Sequence, residues 1–443
     1  MTEPSGGPLD GPVDGPVDGP VEGPVDGPVI EAVRAGFARS DRVFWLDGGG
    51  ARDWSGRRSL VGVLDADDVS LTFDAATREV TRHASGRSEV VGEDIFTVLE
   101  DALARESDDP DVHWVGSFGY ACRTDLPARP WGKGPDAVWM RTRGLQQFTH
   151  DPGRVPQWSP QRPAQHSTAP QEYREAFAEV QEQLRAGNSY EVNLTYREQA
   201  GPAGEPTGGT VDPLATYLRL RASNPAPYAG LLSHQGTHLL SSSPERYAAI
   251  DRQRWLETKP IKGTTARGST PAEDEATRRA LAEDPKFRAE NLMIVDLLRN
   301  DVSMVCEPGS VTVPSLMSVE SYPSVHQLVS TVRGRLREDV STLGALRALF
   351  PAGSMTGAPK LRTMQVIDDV EASARGPYAG AFGWICADGR ADLGVVIRSL
   401  FAGPGQGWQL GTGGGITVRS DVDEEWAETR WKAERLRGAT LDG

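Results

Sequence analysis

Lysine is scarce in this chain. Of 47 basic residues only six are lysine, namely Lys133, Lys259, Lys262, Lys286, Lys360 and Lys432. Arginine stays protonated and is no nucleophile, whereas lysine can be one, so each of the six is a candidate for chemistry as well as for the surface. Cysteine is scarcer still: Cys122, Cys306 and Cys386 form no CxxC pair and no disulfide framework. Long apolar runs are missing too, and none approaches the roughly 18 residues of a transmembrane helix. The N-terminus has neither the basic nor the apolar segment of a signal peptide. An excess of positive charge is also absent. The net charge of −15 argues against nucleic acid or an anionic membrane surface as the main partner. A cytoplasmic protein is expected.

What is present is enough for a substantial core. The 443 residues are 38% hydrophobic and 25% charged, a length that suits one large or two smaller domains. Residues 7–30 are six four-residue units, GPLD, GPVD, GPVD, GPVE, GPVD and GPVI. Proline at every fourth position forbids a regular helix and glycine weakens strand propensity, so residues 1–29 are expected to be a disordered acidic tail. Strands are expected at VFWLD (43–47), SLVGVL and VSLTF, with a helix near 93–105, giving an N-terminal region over 30–155. Residues 151–170 carry five prolines without periodicity, and 156–170 read as a linker. Tyr173, Phe177, Val180 and Leu184 then recur at helical spacing and open a region that runs over 171–437. Mixed helices and antiparallel-looking strands predict an α+β or layered α/β fold.

Several motifs bear on chemistry. Gly353–Lys360 (GSMTGAPK) resembles a P-loop but lacks a lysine directly after the second glycine and a hydroxyl after the lysine. It predicts a turn opening a helix with Pro359 at the first helical position, where backbone N–H groups can hold a carboxylate. Gly411–Gly415 (GTGGG) predicts either a hairpin turn or a backbone that lets a ligand approach closely. In 285–300, Glu290 lies within the stripe formed by Phe287, Ile294, Leu297 and Leu298, with Arg299 opposite. A carboxylate there must be paired, protonated or bound to a metal. In 421–437 the core stripe is Val422, Trp426, Thr429, Ala433 and Leu436, and Glu425, Glu428 and Lys432 cluster along its edge. Glu428 and Lys432 are also spaced as a plain i,i+4 surface pair. Two carboxylates without His or Cys nearby suit Mg²⁺ better than zinc. Lys262 sits between Pro260 and Gly263, which predicts a turn that aims its side chain.

These segments together resemble a family. SPERY (243–247), KPIKGT (259–264), RAENLMIVDLLRND (288–301), PAGSMTGAPK (351–360), VIRSL (396–400), GTGGGI (411–416) and EWAET (425–429) are similar to successive signatures of the chorismate-binding enzymes. NSYEVNLT (188–195) and NPAPY (224–228) agree with them. The resemblance implies an anthranilate-synthase-like layered sandwich of antiparallel-rich sheets flanked by helices. Lysine at 262, where anthranilate synthases carry alanine, resembles the aminodeoxychorismate synthase large subunits, also called para-aminobenzoate synthase large subunits. It implies formation of 4-amino-4-deoxychorismate, for para-aminobenzoate and folate or for a specialised aromatic-amine pathway.

In that reading Lys262 attacks C2 of chorismate and Glu245 protonates the departing C4 hydroxyl. Such an amine is nucleophilic when desolvation or a nearby cation lowers its pKa. Glu290 and Glu428, with Glu425 close by, would hold Mg²⁺, while Arg398, Lys432, Gly413, Gly414, Gly415 and Thr356 would bind substrate. Ammonia would come from a separate glutamine amidotransferase subunit, because none of the three cysteines sits in a G-x-C-x-G turn. Three positions depart from the family. Glu191 stands where glutamine is usual, Gln327 where many members have histidine, with His326 beside it, and a Gly-rich stretch (48–50) follows FWLD. The rival readings are an anthranilate or 2-amino-2-deoxyisochorismate synthase, and a non-catalytic chorismate-binding subunit.

Overall fold

The computed structural model describes residues 26–48, 58–107, 109–150, 168–201, 211–322 and 325–441. The expected acidic tail lies outside the described residues up to residue 25, as does most of the proline-rich linker. The helix Asp26–Phe37 begins inside the stretch assigned to the tail. Val29 and Val33, one helical turn apart, are fully buried against Val43, Val61 and Tyr217, and this packing offsets the poor helix propensity of the last GPV unit.

Two antiparallel sheets form the frame. The nine-stranded sheet runs in the order Gly357–Ala358, Glu191–Gln199, Gln409–Ile416, Ser399–Ala402, Thr237–Ser243, Tyr228–His234, Arg42–Asp47, Arg58–Val63, Gln146–Thr149. The twelve-stranded sheet runs Ile261–Ala266, Val325–Arg335, Trp255–Lys259, Arg246–Ile250, Ala391–Val395, Ala381–Cys386, His113–Phe118, Ala137–Thr142, Ser70–Asp74, Glu79–Ala84, Arg87–Gly92, with Thr312–Ser321 also pairing Val325–Arg335. Nine α-helices are present among the described residues. The fold is therefore α+β, the layered antiparallel arrangement that the resemblance implies.

Both sheets mix strands from before residue 151 with strands from after residue 168, so the N-terminal region has no core of its own. Phe44, Phe73, Trp114 and Trp139 share one buried cluster with Leu298, Phe350, Leu393 and Phe401. The helix Gln171–Arg185 buries Tyr173, Phe177, Val180 and Leu184 as its period predicts and is followed by Gly187 at φ +75°. Its apolar face covers Val192, Leu194 and Ile416 at one end of the nine-stranded sheet, together with Trp426.

Two local expectations change. Gly411–Gly415 are not a hairpin turn but lie inside the strand Gln409–Ile416, paired residue by residue with Glu191–Gln199. Glycine has little intrinsic strand preference, and the long-range pairing with Asn193–Arg197 on one edge supplies what propensity does not. Pro359 is the N-cap of the helix Lys360–Val370 rather than its first helical residue.

Candidate active site

The end of the fold where the two sheets and the helices Pro285–Ser303 and Val422–Thr440 converge holds a cavity of about 120 Å³. Lys262, Glu245, Glu290, Glu425, Glu428, Arg398, Lys432 and Gly413–Gly415 all line it. Thr356 is the exception. It is fully buried, and its hydroxyl turns to the carbonyls of Ala352 and Gly353 at 3.5 and 3.2 Å.

Lys262 lies in a strand, not in the turn expected from Pro260 and Gly263. Ile261 pairs with Val329 and Thr264 with Gln327, so the Lys262 strand carries one extra residue. Gly263, at φ +87°, supplies the left-handed backbone that this bulge uses. The bulge re-aims the lysine inward, where it is 8% exposed and its Nζ donates to Glu191 Oε1. Burial pulls the pKa of Lys262 down, but Glu191, then Glu290 and Glu245, pull it up further, and the net shift is upward. The lowered pKa expected of a nucleophilic lysine is therefore not found. Three carboxylates outweigh desolvation and keep the ammonium charged.

Glu245 sits at the turn between Thr237–Ser243 and Arg246–Ile250 and is 5% exposed. Ser354 Oγ donates to its Oε1 at 2.5 Å. Burial, opposed by that hydrogen bond and by Lys262, pushes its pKa up to about 7. A carboxyl with that value can carry a proton at neutral pH and deliver it, as a general acid must.

Glu290 is 7% exposed, and its Oε1 has no hydrogen-bond partner. Burial pushes its pKa up to about 7, against the pull of Lys262. Glu428 lies on the helix Val422–Thr440, held below its ordinary range first by Lys432, 2.8 Å away. The Glu428–Lys432 pair thus faces the cavity, and Lys432 also donates to the Gly413 carbonyl at 2.9 Å. Glu425 accepts from Lys286 Nζ at 3.0 Å and Ser420 Oγ at 2.8 Å. No three His, Cys, Asp or Glu side chains among the described residues are gathered closely enough to cage a metal alone. Mg²⁺ uses one or two carboxylates together with water and substrate oxygens, and the orphaned oxygen of Glu290 suits such an ion.

Arg398 makes no ion pair with any described residue. Its backbone is at φ +51°, its guanidinium lies over the Trp431 ring at 5.3 Å, and burial lowers its pKa to about 10. An unpaired, largely desolvated guanidinium at a cavity wall is suited to a carboxylate.

Sequence reasoning missed Ser354, Asn193, Tyr378 and Lys286 as cavity residues. Lysine scarcity was the one available signal for Lys286, since Lys262, Lys286 and Lys432 all face the cavity. Gln327 also lines it, with Oε1 buried and unpartnered. His326 is engaged elsewhere, with Ser321 Oγ at 2.8 Å and Asp274 Oδ1 at 3.0 Å.

A family model described as chorismate binding enzyme matches residues 42–438. The chain belongs to the chorismate binding enzymes. Among curated relatives, the aminodeoxychorismate synthase of Streptomyces pristinaespiralis is 38% identical over 462 residues, covering 92% of this chain and 63% of that protein. The aminodeoxychorismate synthase component 1 of Salmonella typhimurium is 42% identical over 265 residues, covering 60% of this chain and 56% of that one. The chain thus spans about three-fifths of the length of these relatives. Of solved structures, anthranilate synthase component I from Streptococcus pneumoniae superposes with a TM-score of 0.70 at 25% identity, covering 86% of this chain and 92% of that chain. The menaquinone-specific isochorismate synthase MenF of Escherichia coli shares the fold, with a TM-score of 0.65 at 16% identity and coverage of 95% and 92%. As a chorismate binding enzyme, this chain keeps its family signatures where the geometry gathers them, in one cavity with a buried lysine at its centre.

Proposed function

We propose that this protein aminates chorismate at C4, forming 4-amino-4-deoxychorismate through a covalent adduct on Lys262. The observation that carries the reading is the pairing of Lys262 with Glu245 across one cavity. One is a buried amine aimed by a strand bulge, the other a buried carboxyl poised to give up a proton near neutrality. The amine of Lys262 adds to C2 while the C4–O bond breaks, and Glu245 protonates the departing hydroxyl. Ammonia then adds at C4 and the C2–N bond to Lys262 breaks. Arg398 and the backbone of Gly413–Gly415 hold substrate carboxylates.

The charges of the wall support a dication as partner. Lys262, Lys286, Arg398 and Lys432 give the wall four cations, and Glu245, Glu290, Glu425 and Glu428 give four carboxylates when all are ionised. The sum is zero, and the arriving substrate brings two carboxylates that need an opposite charge. Mg²⁺ held by Glu290 and Glu428, with Glu425 close by, would neutralise a ring carboxylate and polarise the substrate. Ammonia comes from a separate glutamine amidotransferase in this reading, since Cys122, Cys306 and Cys386 are all buried.

Chromatography of the products from chorismate, Mg²⁺ and ammonium tests the proposal. 4-Amino-4-deoxychorismate is expected. Anthranilate or 2-amino-2-deoxyisochorismate would move amination to C2 and overturn it, and absence of turnover would leave a binding subunit.

A further inference from the structure

The Lys262–Glu191 contact bridges the two sheets, because Lys262 belongs to the edge strand of one and Glu191 to the other. Glu191 is 2% exposed, and its second oxygen, Oε2, is buried without a partner. The contact lies directly over Gly415, where a Cβ would stand 2.8 Å from Lys262 Nζ, so the bare Cα of that glycine makes room for the pair. Leaving a buried carboxylate oxygen without a donor is unfavourable. The reaction as written above has no use for this carboxylate, yet it is the group in hydrogen-bond contact with the reacting nitrogen.

We propose that Glu191 holds Lys262 in its attacking position and accepts its proton when the amine becomes a nucleophile. The inference rests on the covalent role of Lys262 and extends it. A proton passes from Nζ to the Glu191 carboxylate, and the freed electron pair forms the N–C2 bond. The C4–O bond breaks, and the hydroxyl leaves as water with the proton of Glu245. When ammonia adds at C4 and the C2–N bond breaks, Lys262 recovers its proton from Glu191 and the new C4 ammonium returns one to Glu245. The other charged groups facing the pair have other partners or other tasks. From the helix Pro285–Ser303 these are Glu290, with its oxygen free for a cation, and Lys286, paired to Glu425. From the helix Val422–Thr440 they are Glu428 and Lys432, paired to each other. Glu245, from its turn, holds its proton for the leaving group.

The test is rapid-quench intact-mass analysis of the full chain with chorismate and Mg²⁺ but no ammonium, from pH 6 to 9. Glu191→Gln should form the Lys262 adduct about 100-fold more slowly than wild type at pH 7. The deficit should shrink as pH rises and solvent takes over as proton acceptor, while chorismate affinity stays within about threefold. Should thermal melting show Glu191→Gln to be unfolded, Glu191→Asp replaces it and should form the adduct about 10-fold more slowly than wild type at pH 7, with the same narrowing as pH rises. An adduct formed by the variant as fast as by wild type would overturn the role of Glu191 and leave Lys262 standing. So would a deficit of equal size at every pH, which marks a purely structural residue. No adduct in a wild-type enzyme that turns over would overturn the Lys262 reading and, with it, this one.

Discussion

Glu290→Gln should make the protein more stable and less active, and the structure gives both size and sign. Glu290 is 7% exposed with one oxygen unpartnered, and burial raises its pKa from 4.5 to about 7. A carboxyl raised in this way contributes stability that is fully present below about pH 4.5 and is lost as pH rises through about 7. Two and a half pH units at about 1.36 kcal/mol each amount to on the order of 3 kcal/mol. Glutamine keeps the shape and removes the ionisation. In urea melts without divalent cations, Glu290→Gln should gain on wild type between pH 5 and pH 8 by up to that amount. Added Mg²⁺ should then stabilise wild type at pH 8 and leave the variant unmoved, because a ligand stabilises only the state that binds it. A wild-type minus variant difference that is flat with pH would refute the buried-carboxylate argument. Equal Mg²⁺ stabilisation of both would refute the assignment of Glu290 as a metal ligand.

Two further outcomes follow from the same cavity. Glu245 must be protonated to act, so kcat/KM of wild type should fall as pH rises through about 7, and Glu245→Gln should lose about 10²- to 10⁴-fold in kcat, read from steady-state pH profiles. The purified chain should use ammonium and not glutamine, since its thiols are buried and burial pushes Cys306 up to about 11 and Cys386 up to about 12; glutaminase activity in the chain alone, measured by glutamate release, would contradict this.

The parts of this site that lie within one element were legible in the sequence. Helical periodicity put Glu290 inside an apolar stripe before any geometry was known, and the stripe Val422, Trp426, Thr429, Ala433, Leu436 placed Glu425 and Glu428 at its edge. The parts that depend on pairing between distant strands were not. Gly411–Gly415 carry no strand signal because their strand is held by Glu191–Gln199, more than 200 residues earlier. Lys262 reads as a turn residue locally, since Pro260 and Gly263 are turn formers, and only the register against Val325–Arg335 converts that turn into a bulge. The Glu191–Lys262 contact spans 71 residues and two sheets, so its electrostatic consequence, an ammonium held charged rather than neutral, had no local trace. Thr356 matched a motif, but its neighbour Ser354 is the hydroxyl that reaches the cavity.

The central claim is that Lys262 is a nucleophile rather than a charge or a steric block. Ammonium-supported turnover of Lys262→Ala and Lys262→Arg, with products resolved by chromatography, tests it most directly. Loss of a covalent route should remove at least about three orders of magnitude in rate, roughly 4 kcal/mol of barrier at about 1.4 kcal/mol per tenfold. Arginine should rescue nothing, because it keeps the charge but not the removable proton. Robust 4-amino-4-deoxychorismate formation by Lys262→Ala, partial rescue by Lys262→Arg, or a switch of the alanine variant to C2-substituted products would contradict the account.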